Sequence, residues 1–148
     1  MSLLPPAVNF HINRHCNARC RFCFATFRDV SGQLSLAEAM KTIDLLHAAG
    51  AEKLNFAGGE PTLHRGLGAL VAHARGRGFV TSVVTNGARL GALLDAHSRD
   101  LDWVGLSVDS GSEATEVALG RGTGRYVASA VALADRCRAE GVRVKLNT

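Results

Sequence analysis

Three of the four cysteines in the chain lie within eight residues, at Cys16, Cys20 and Cys23, in the spacing C-x3-C-x2-C. Thiolates at such close spacing can converge on one metal centre, and they are ligands both for zinc and for iron–sulfur clusters. The fourth, Cys137, lies far along the chain between two arginines. We expect Cys137 to be a buried small residue rather than a ligand.

The spacing leaves the fourth ligand of such a centre undefined. A structural zinc site needs four ligands and often has two CxxC pairs, but the chain has no second pair. His11 or His15 could supply the missing zinc ligand. A [4Fe–4S] cluster usually takes four cysteines, so three cysteines would leave one iron open for chemistry. The cysteines alone therefore allow a zinc site or an iron–sulfur site.

The composition predicts one soluble globular domain in a reducing compartment. The chain has 148 residues, of which 47% are hydrophobic and 20% are charged. It has no apolar run of membrane-spanning length and no secretory leader pattern, so we expect a cytoplasmic protein without a membrane partner. Clustered cysteines in that compartment usually bind metal or do chemistry.

The charge favours a small anionic ligand. The formal net charge of +4 arises from 14 arginines, three lysines and 13 acidic residues. This balance suits an anionic small molecule, and it is too mild and too scattered along the chain to predict a nucleic-acid partner.

The hydrophobic pattern alternates between strand and helix periods, which is typical of a parallel α/β fold. The predicted strands are Val8–Ile12, Lys53–Ala57, Val80–Thr85, Trp103–Val108 and Val142–Asn147. The predicted helices lie at 35–50, Leu67–Arg77, Leu90–Ser98 and Tyr126–Glu140. Ser35 followed by Glu38 predicts a capping box at the first helix, and Gly50 predicts its end. The last strand has no helix after it, so we expect a fragment whose remaining strands lie elsewhere.

A second motif, Gly58-Gly59-Glu60-Pro61, directly follows the second strand, while the cysteines follow the first. Parallel strands present their carboxyl ends at one edge, where α/β enzymes place their active sites. The two motifs together, with Phe22 before the last cysteine, resemble radical S-adenosylmethionine (SAM) enzymes. The resemblance implies that the cysteines bind three irons of a [4Fe–4S] cluster and that SAM binds the fourth.

The same resemblance implies further SAM contacts and a fold. Gly58, Gly59, Glu60 and Pro61 would approach the methionine part of SAM, and the matching positions at later strand ends are Asn86, Ser107 and Arg121. The implied fold is a partial (βα)6 TIM-like barrel, truncated here to about five parallel strands and four helices. Residues 1–148 would then be the N-terminal part of a radical SAM core domain.

Within that superfamily the chain resembles viperin-like enzymes of antiviral defence. The matching segments are NFHINRHCNARCRFCF, EKLNFAGGEP, SVDS, LGRGTG and VKLNT. This resemblance implies that a 5′-deoxyadenosyl radical takes hydrogen from C4′ of a nucleoside triphosphate, giving a 3′-deoxy-3′,4′-didehydro nucleotide. It also implies an electron donor of the flavodoxin or ferredoxin type. It assigns no proton donor.

Strand alternation predicts a polar barrel interior. In the second strand Leu54 and Phe56 point toward the helices, so the alternate residues point inward. The inward positions of strands one, two and five carry Asn9, His11, Lys53, Asn55, Lys145 and Asn147. By resemblance, Asn9, Lys53 and Lys145 bind the nucleotide, and the two lysines bind its phosphates.

Three alternatives stay open at this point. Lys53 could be a solvated lysine at the start of a strand. The chain could carry another radical SAM activity, such as a peptide-modifying or molybdopterin-type cyclase activity. It could also be a non-catalytic fragment that binds a cluster or zinc.

Overall fold

A single parallel sheet organises the chain. The computed structural model describes residues 5–26, 29–30 and 33–148. The sheet has five strands in the order of the sequence, each parallel to its neighbours. The strands are β1 (Ala7–His11), β2 (Lys53–Ala57), β3 (Val80–Thr85), β4 (Trp103–Ser107) and β5 (Arg143–Asn147). All five predicted strands are confirmed, with ends that differ by one residue at most.

Helices connect the strands. They are α1 (Leu36–Ala48), α2 (Leu67–Gly76), α3 (Leu90–His97), α4 (Glu113–Ala118) and α5 (Tyr126–Ala139). Short 3-10 turns cover Pro61–Leu63 and Ser98–Asp100. All four predicted helices are confirmed, and the structure adds α4, whose six residues are too few for a helical period to be detected in the sequence. In the part of the chain described here, no helix is both long enough and apolar enough to cross a membrane.

The helix-facing side of the sheet forms the hydrophobic core. Leu54 and Phe56 of β2 are fully buried, and Phe10 of β1 packs its ring 6.3 Å from that of Phe56, measured between centroids. The fully buried partners from the other elements include Ile43, Leu70, Val83, Leu94 and Val104. The prediction that Leu54 and Phe56 point toward the helices is therefore confirmed.

The start of α1 is fixed by a capping box, as the sequence predicts. Ser35 Oγ accepts a hydrogen bond from the backbone N–H of Glu38 at 3.3 Å, and Glu38 Oε2 accepts one from the backbone N–H of Ser35 at 2.8 Å. Both bonds satisfy backbone donors that the first turn of a helix otherwise leaves unpaired. At the other end of α1, Gly50 has a φ of +92°, so the helix stops at the predicted glycine.

We expect Ser35→Ala to lower the free energy of unfolding by about 1 kcal/mol, because the cap accepts a hydrogen bond that alanine cannot. Urea unfolding followed by circular dichroism measures this loss. Ser129→Ala is the matched control, because Ser129 is an exposed serine inside α5 and alanine favours a helix interior. Equal midpoints for Ser35→Ala and the unaltered protein would contradict the capping argument.

Candidate cofactor site

A cavity of about 940 Å³ opens at the carboxyl ends of the strands and continues along the inner face of the sheet. Most of the residues predicted from the sequence line it. These are Asn9, Cys16, Cys20, Phe22, Cys23, Gly58, Gly59, Glu60, Asn86, Ser107, Arg121 and Lys145. Pro61 is buried beside the cavity, and Lys53 is exposed at the start of β2; neither belongs to the lining.

The three clustered cysteines lie on the segment after β1, residues 13–26, which we call the cysteine loop. Cys16 and Cys20 are half-buried and Cys23 is exposed, and all three thiols are free. The backbone N–H of Cys23 donates to the carbonyl of Cys20 at 3.2 Å, which forms a turn between these two cysteines. Burial raises the pKa of the Cys16 thiol. Within residues 5–26, 29–30 and 33–148, no three His, Cys, Asp or Glu side chains are placed to bind one metal ion.

Cys137 lies away from this cavity. Its side chain is fully buried in α5 and belongs to the hydrophobic core. The prediction that it is a buried small residue is confirmed.

The turn after β2 holds the first half of the cysteine loop. The backbone N–H of Gly59 donates to the carbonyl of Asn13 at 2.8 Å, and that of Glu60 donates to the carbonyl of His15 at 2.8 Å. A Cβ atom at Gly59 would lie 2.5 Å from the carbonyl oxygens of both Arg14 and His15. The two chain segments approach so closely that only glycine fits. Gly58 and Gly59 therefore pack against the cysteine loop, a contact that the sequence motif alone does not predict.

Glu60 links this turn to the end of β3. Its carboxylate is buried, with only 1% of the residue exposed. One oxygen accepts from Thr62 N at 3.0 Å, Thr62 Oγ1 at 2.5 Å and Thr85 Oγ1 at 2.5 Å. The other oxygen accepts from the backbone N–H of Asn86 at 2.7 Å. Because a buried carboxylate needs such donors, these contacts fix the position of Glu60 and of Asn86 together.

Asn86, which Glu60 holds in place, also contacts the cysteine loop. Its side-chain amide donates to Asn17 Oδ1 at 2.9 Å and lies 3.8 Å from Cys16 Sγ. Asn86 was predicted as a SAM contact, and the structure adds a direct contact with the residue that follows the first cysteine. A chain of hydrogen bonds thus runs from Glu60 through Asn86 to the cysteine loop.

The segment after α4 holds the second half of the cysteine loop. The backbone N–H of Arg19 donates to the carbonyl of Gly120 at 3.1 Å, and that of Arg21 donates to the carbonyl of Leu119 at 3.0 Å. Gly120 has a φ of +89°, and a Cβ atom there would collide with the carbonyl of Arg19. The cysteine loop is therefore bonded on both sides, which restricts where its thiols can lie. Sequence reasoning missed this contact, although the glycine in LGRGTG was its signal.

Arg121 is a buried cation at the edge of the cavity. It is 7% exposed, forms an ion pair with Asp109 and lies 3.9 Å from the buried carboxylate of Glu116. Its guanidinium carbon lies 5.6 Å from the ring centre of Phe22 and 5.7 Å from that of Tyr126. Among the residues the structure describes, its Nε finds no hydrogen-bond partner. The guanidinium therefore places a positive charge at the cavity edge, which suits an anionic group such as the carboxylate of SAM.

The inner face of the sheet carries a row of polar side chains. Asn55 Nδ2 donates to Asn9 Oδ1 at 2.9 Å, and Ser82 Oγ donates to Asn55 Oδ1 at 2.9 Å. These three residues are direct neighbours in the registers of β1, β2 and β3. Asn9 was predicted as a site residue, whereas Ser82 was missed. The alternation of β3 was the signal, because Ser82 falls on its inward positions.

The last two strands complete the cavity wall. Lys145 of β5 lies opposite Gly105 of β4 in the sheet register, and both line the cavity. Trp103 is 37% exposed on the same face, and the guanidinium of Arg143 stacks 4.1 Å from its ring centre. Ser107 lies at the end of β4, and its carbonyl accepts a hydrogen bond from Tyr126 Oη. The wall thus combines a lysine and polar groups with an exposed aromatic ring.

The sequence of the chain is similar to a known protein family and to proteins that already have names. Residues 10–148 match the sequence profile of the Radical SAM superfamily. A protein of Lacinutrix mariniflava named S-adenosylmethionine-dependent nucleotide dehydratase is 40% identical over 97% of this chain and 32% of its own length. A protein of the same name from a Thermoplasmatales archaeon (strain ISO4-H5) is 37% identical over 95% of this chain and 51% of its own length. The chain therefore spans between a third and a half of these relatives.

Solved structures agree on the fold. Streptococcus suis SuiB bound to S-adenosylmethionine superposes with a TM-score of 0.83 over 97% of this chain and 34% of that protein, at 17% sequence identity. This likeness confirms the predicted partial TIM-like barrel.

The residues present fit the cofactors of this family, a [4Fe–4S] cluster and SAM. Three free thiols offer the ligands for three irons, and a glycine turn and a buried guanidinium face the same cavity. With the profile match over residues 10–148, these features show that the chain belongs to the radical SAM superfamily.

Proposed function

We propose that this chain is the N-terminal part of the core domain of a viperin-like radical SAM enzyme that dehydrates a nucleoside triphosphate. One observation carries the proposal: the cavity lined by the three cysteines continues along a sheet face that presents Asn9, Asn55 and Lys145, whose groups can bind the hydroxyls and phosphates of a nucleotide. The names of the relatives support the same substrate class. The product would be the 3′-deoxy-3′,4′-didehydro nucleotide.

In this assignment the cofactors supply the reactive radical, and the protein holds the cofactors in place. When bound, the cluster and SAM supply a carbon radical that can remove hydrogen from C4′ of the ribose. Cys16, Cys20 and Cys23 bind the cluster, and the two flanking segments hold their loop in place. Overall, the nucleotide loses water, SAM yields methionine and 5′-deoxyadenosine, and two electrons and one proton are consumed.

The polar wall orients the nucleotide. The amides of Asn9 and Asn55 can bond ribose hydroxyls, since each amide has donors and acceptors beyond their shared bond. Lys145 offers a point charge to the phosphates from the cavity lining. Lys53 lies two residues before Asn55 at the other end of β2, so alternation places it on the same face, toward the strand starts. We therefore assign Lys145 and Lys53 to the phosphates.

We expect Lys145→Ala to raise the KM for the nucleotide roughly 10- to 150-fold, which corresponds to the loss of one charge-assisted contact worth about 1.5–3 kcal/mol. Lys53→Ala should act in the same direction. Cleavage of SAM without nucleotide should persist in both, because neither lysine is assigned to SAM. Lys41→Ala, an exposed lysine of α1, is the control. Loss of SAM binding with unchanged nucleotide affinity would reverse the assignment.

The whole proposal is tested by anaerobic assay of the reconstituted protein with SAM and each nucleoside triphosphate. We expect formation of 5′-deoxyadenosine in step with loss of water from one or more nucleotides. Metal analysis should give about four iron and four sulfide per chain. One zinc per chain, or 5′-deoxyadenosine without any change in the nucleotides, would contradict the proposed function.

We further propose a reducing location, the cytoplasm, and a flavodoxin- or ferredoxin-type electron donor. Free thiols in a metal-binding loop persist where disulfides do not form. We propose no nucleic-acid or membrane partner, since the net charge of +4 is modest.

A further inference from the structure

A second groove, of about 590 Å³, adjoins the cofactor cavity. Its lining includes Asn17, Arg19, Gly122, Arg125, Tyr126 and Ser129, and we call it the arginine groove. Ala18, which lies between Cys16 and Cys20, lines both spaces. The arginine groove is therefore next to the loop that carries the three clustered cysteines.

Three arginines without an ion pair lie close together at this groove. Arg19 and Arg125 line it, Arg21 is exposed beside it, and within the described ranges none of the three lies within 4.0 Å of a carboxylate. Other described arginines also lack an ion pair, so what marks the groove is that three such arginines lie at one place. The positive charge at the groove is thus left for an external partner.

The carboxylates closest to the groove in the sequence are held by contacts within the fold. Residues 9–26 contain no Asp or Glu. In the adjoining α4, Glu113 accepts hydrogen bonds from the backbone of Tyr126 at 2.7 Å and of Ala128 at 3.0 Å, and Glu116 is fully buried. Both side chains are therefore engaged within the fold.

We propose that the arginine groove is the docking site of an acidic protein that delivers single electrons to the cluster, either a reduced flavin protein or an iron–sulfur protein. This rests on the proposed function, which needs a reductant. In each transfer the donor loses one electron and the cluster gains one, and no atom moves. Because Asn17, Ala18 and Arg19 line the groove and lie between Cys16 and Cys20, a partner bound there would be close to the ligands of the cluster.

The exposure of the arginines favours a protein over a small anion. Electron-transfer partners form small, transient interfaces, and opposite charges raise their association rate more than their affinity. Arg19 and Arg125 are exposed, so they suit the rim of such an interface rather than a buried anion pocket.

The test compares two charge reversals in the reconstituted protein. Arg125→Glu changes the groove at the residue directly before α5. Arg99→Glu is the matched control, because Arg99 is exposed and has no carboxylate within 4.0 Å among the described residues. Arg99 precedes β4, so it lies toward the amino ends of the strands, whereas the cysteine loop follows the carboxyl end of β1. The two variants change the net charge equally.

Stopped-flow absorbance measures reduction of the cluster by flavodoxin hydroquinone at low salt. We expect Arg125→Glu to slow it by about tenfold or more and Arg99→Glu to leave it nearly unchanged. The difference should disappear near 1 M salt, where charges are screened beyond about 3 Å. Dithionite, a small reductant, should reduce both variants at the same rate.

The proposal is overturned if flavodoxin reduces the cluster of both variants at the same rate. It is also overturned if reduction of the Arg125→Glu cluster by dithionite is slowed as much as its reduction by flavodoxin. Arg19→Glu, measured in the same way, provides a second variant should Arg125→Glu fail to bind the cluster. A groove that served RNA or a lipid surface would leave the flavodoxin rate unchanged, which also overturns the proposal. Failure of the proposed function looks different, because flavodoxin would then reduce the unaltered protein while no nucleotide is transformed.

Discussion

Serine in place of Cys16, Cys20 or Cys23 should abolish assembly of the iron–sulfur cluster. Each thiol lines the same cavity and each lies on the cysteine loop, so each is assigned one iron. A serine hydroxyl is a far poorer iron ligand than a thiolate. Anaerobic reconstitution followed by iron and sulfide analysis, with the visible thiolate-to-iron absorbance, measures the loss.

Cys137→Ala is the control for this series. Cys137 is buried in α5 within the hydrophobic core, so its replacement should change stability and leave the cluster content intact. Far-ultraviolet circular dichroism should show the same fold in all four variants. A Cys20→Ser protein with a full complement of iron would refute the assignment of the three ligands.

Gly59→Ala should displace the cysteine loop. The added Cβ atom would lie 2.5 Å from two backbone carbonyl oxygens, those of Arg14 and His15. Neither oxygen can move without breaking the hydrogen bonds that Asn13 and His15 accept from the turn after β2. We expect a loss of about 1–3 kcal/mol in the free energy of unfolding, the usual cost of overpacking. Cluster occupancy and SAM affinity should fall with it, because the same contacts hold the loop.

Denaturant unfolding and calorimetric SAM titration of the reconstituted protein measure these effects. Gly76→Ala serves as the control, since a Cβ atom there meets nothing within 4 Å and the residue ends α2. If Gly59→Ala unfolded at the same denaturant concentration as the unaltered protein and bound SAM equally well, close packing of this turn would have no role in the site.

These two predictions concern one mechanical feature, the support of the cysteine loop from both sides. One side is the turn after β2, and the other is the segment at Leu119 and Gly120. An iron–sulfur site needs its ligands held at fixed separations, and a loop bonded at both flanks loses less conformational entropy when the cluster binds. Leu119 and Gly120 are followed directly by the segment that carries Arg121 and Arg125. That segment therefore lines both the cofactor cavity and the arginine groove.

The sequence by itself determined the elements and the location of the chemistry. Strands such as Lys53–Ala57 and Val80–Thr85 were predicted with their observed bounds, because alternation along a strand is a local property. The clustering of Cys16, Cys20 and Cys23 is local as well. Their proximity to Gly58–Pro61 followed from a general rule, since parallel strands end at one edge of the sheet. The short helix α4 was missed because six residues give too few turns to establish a period.

Only the tertiary structure decided what the motif residues contact. The motif did not predict that the carboxylate of Glu60 bonds Thr62, Thr85 and the backbone of Asn86. Gly59 packs on carbonyls more than 40 residues earlier, and Ser82 joins a row of amides from two other strands. Likewise, Lys145 lines the cavity while Lys53 remains outside its lining. Such contacts depend on strand register and on how far the sheet curves, which are set by packing between distant segments and leave no period in the sequence.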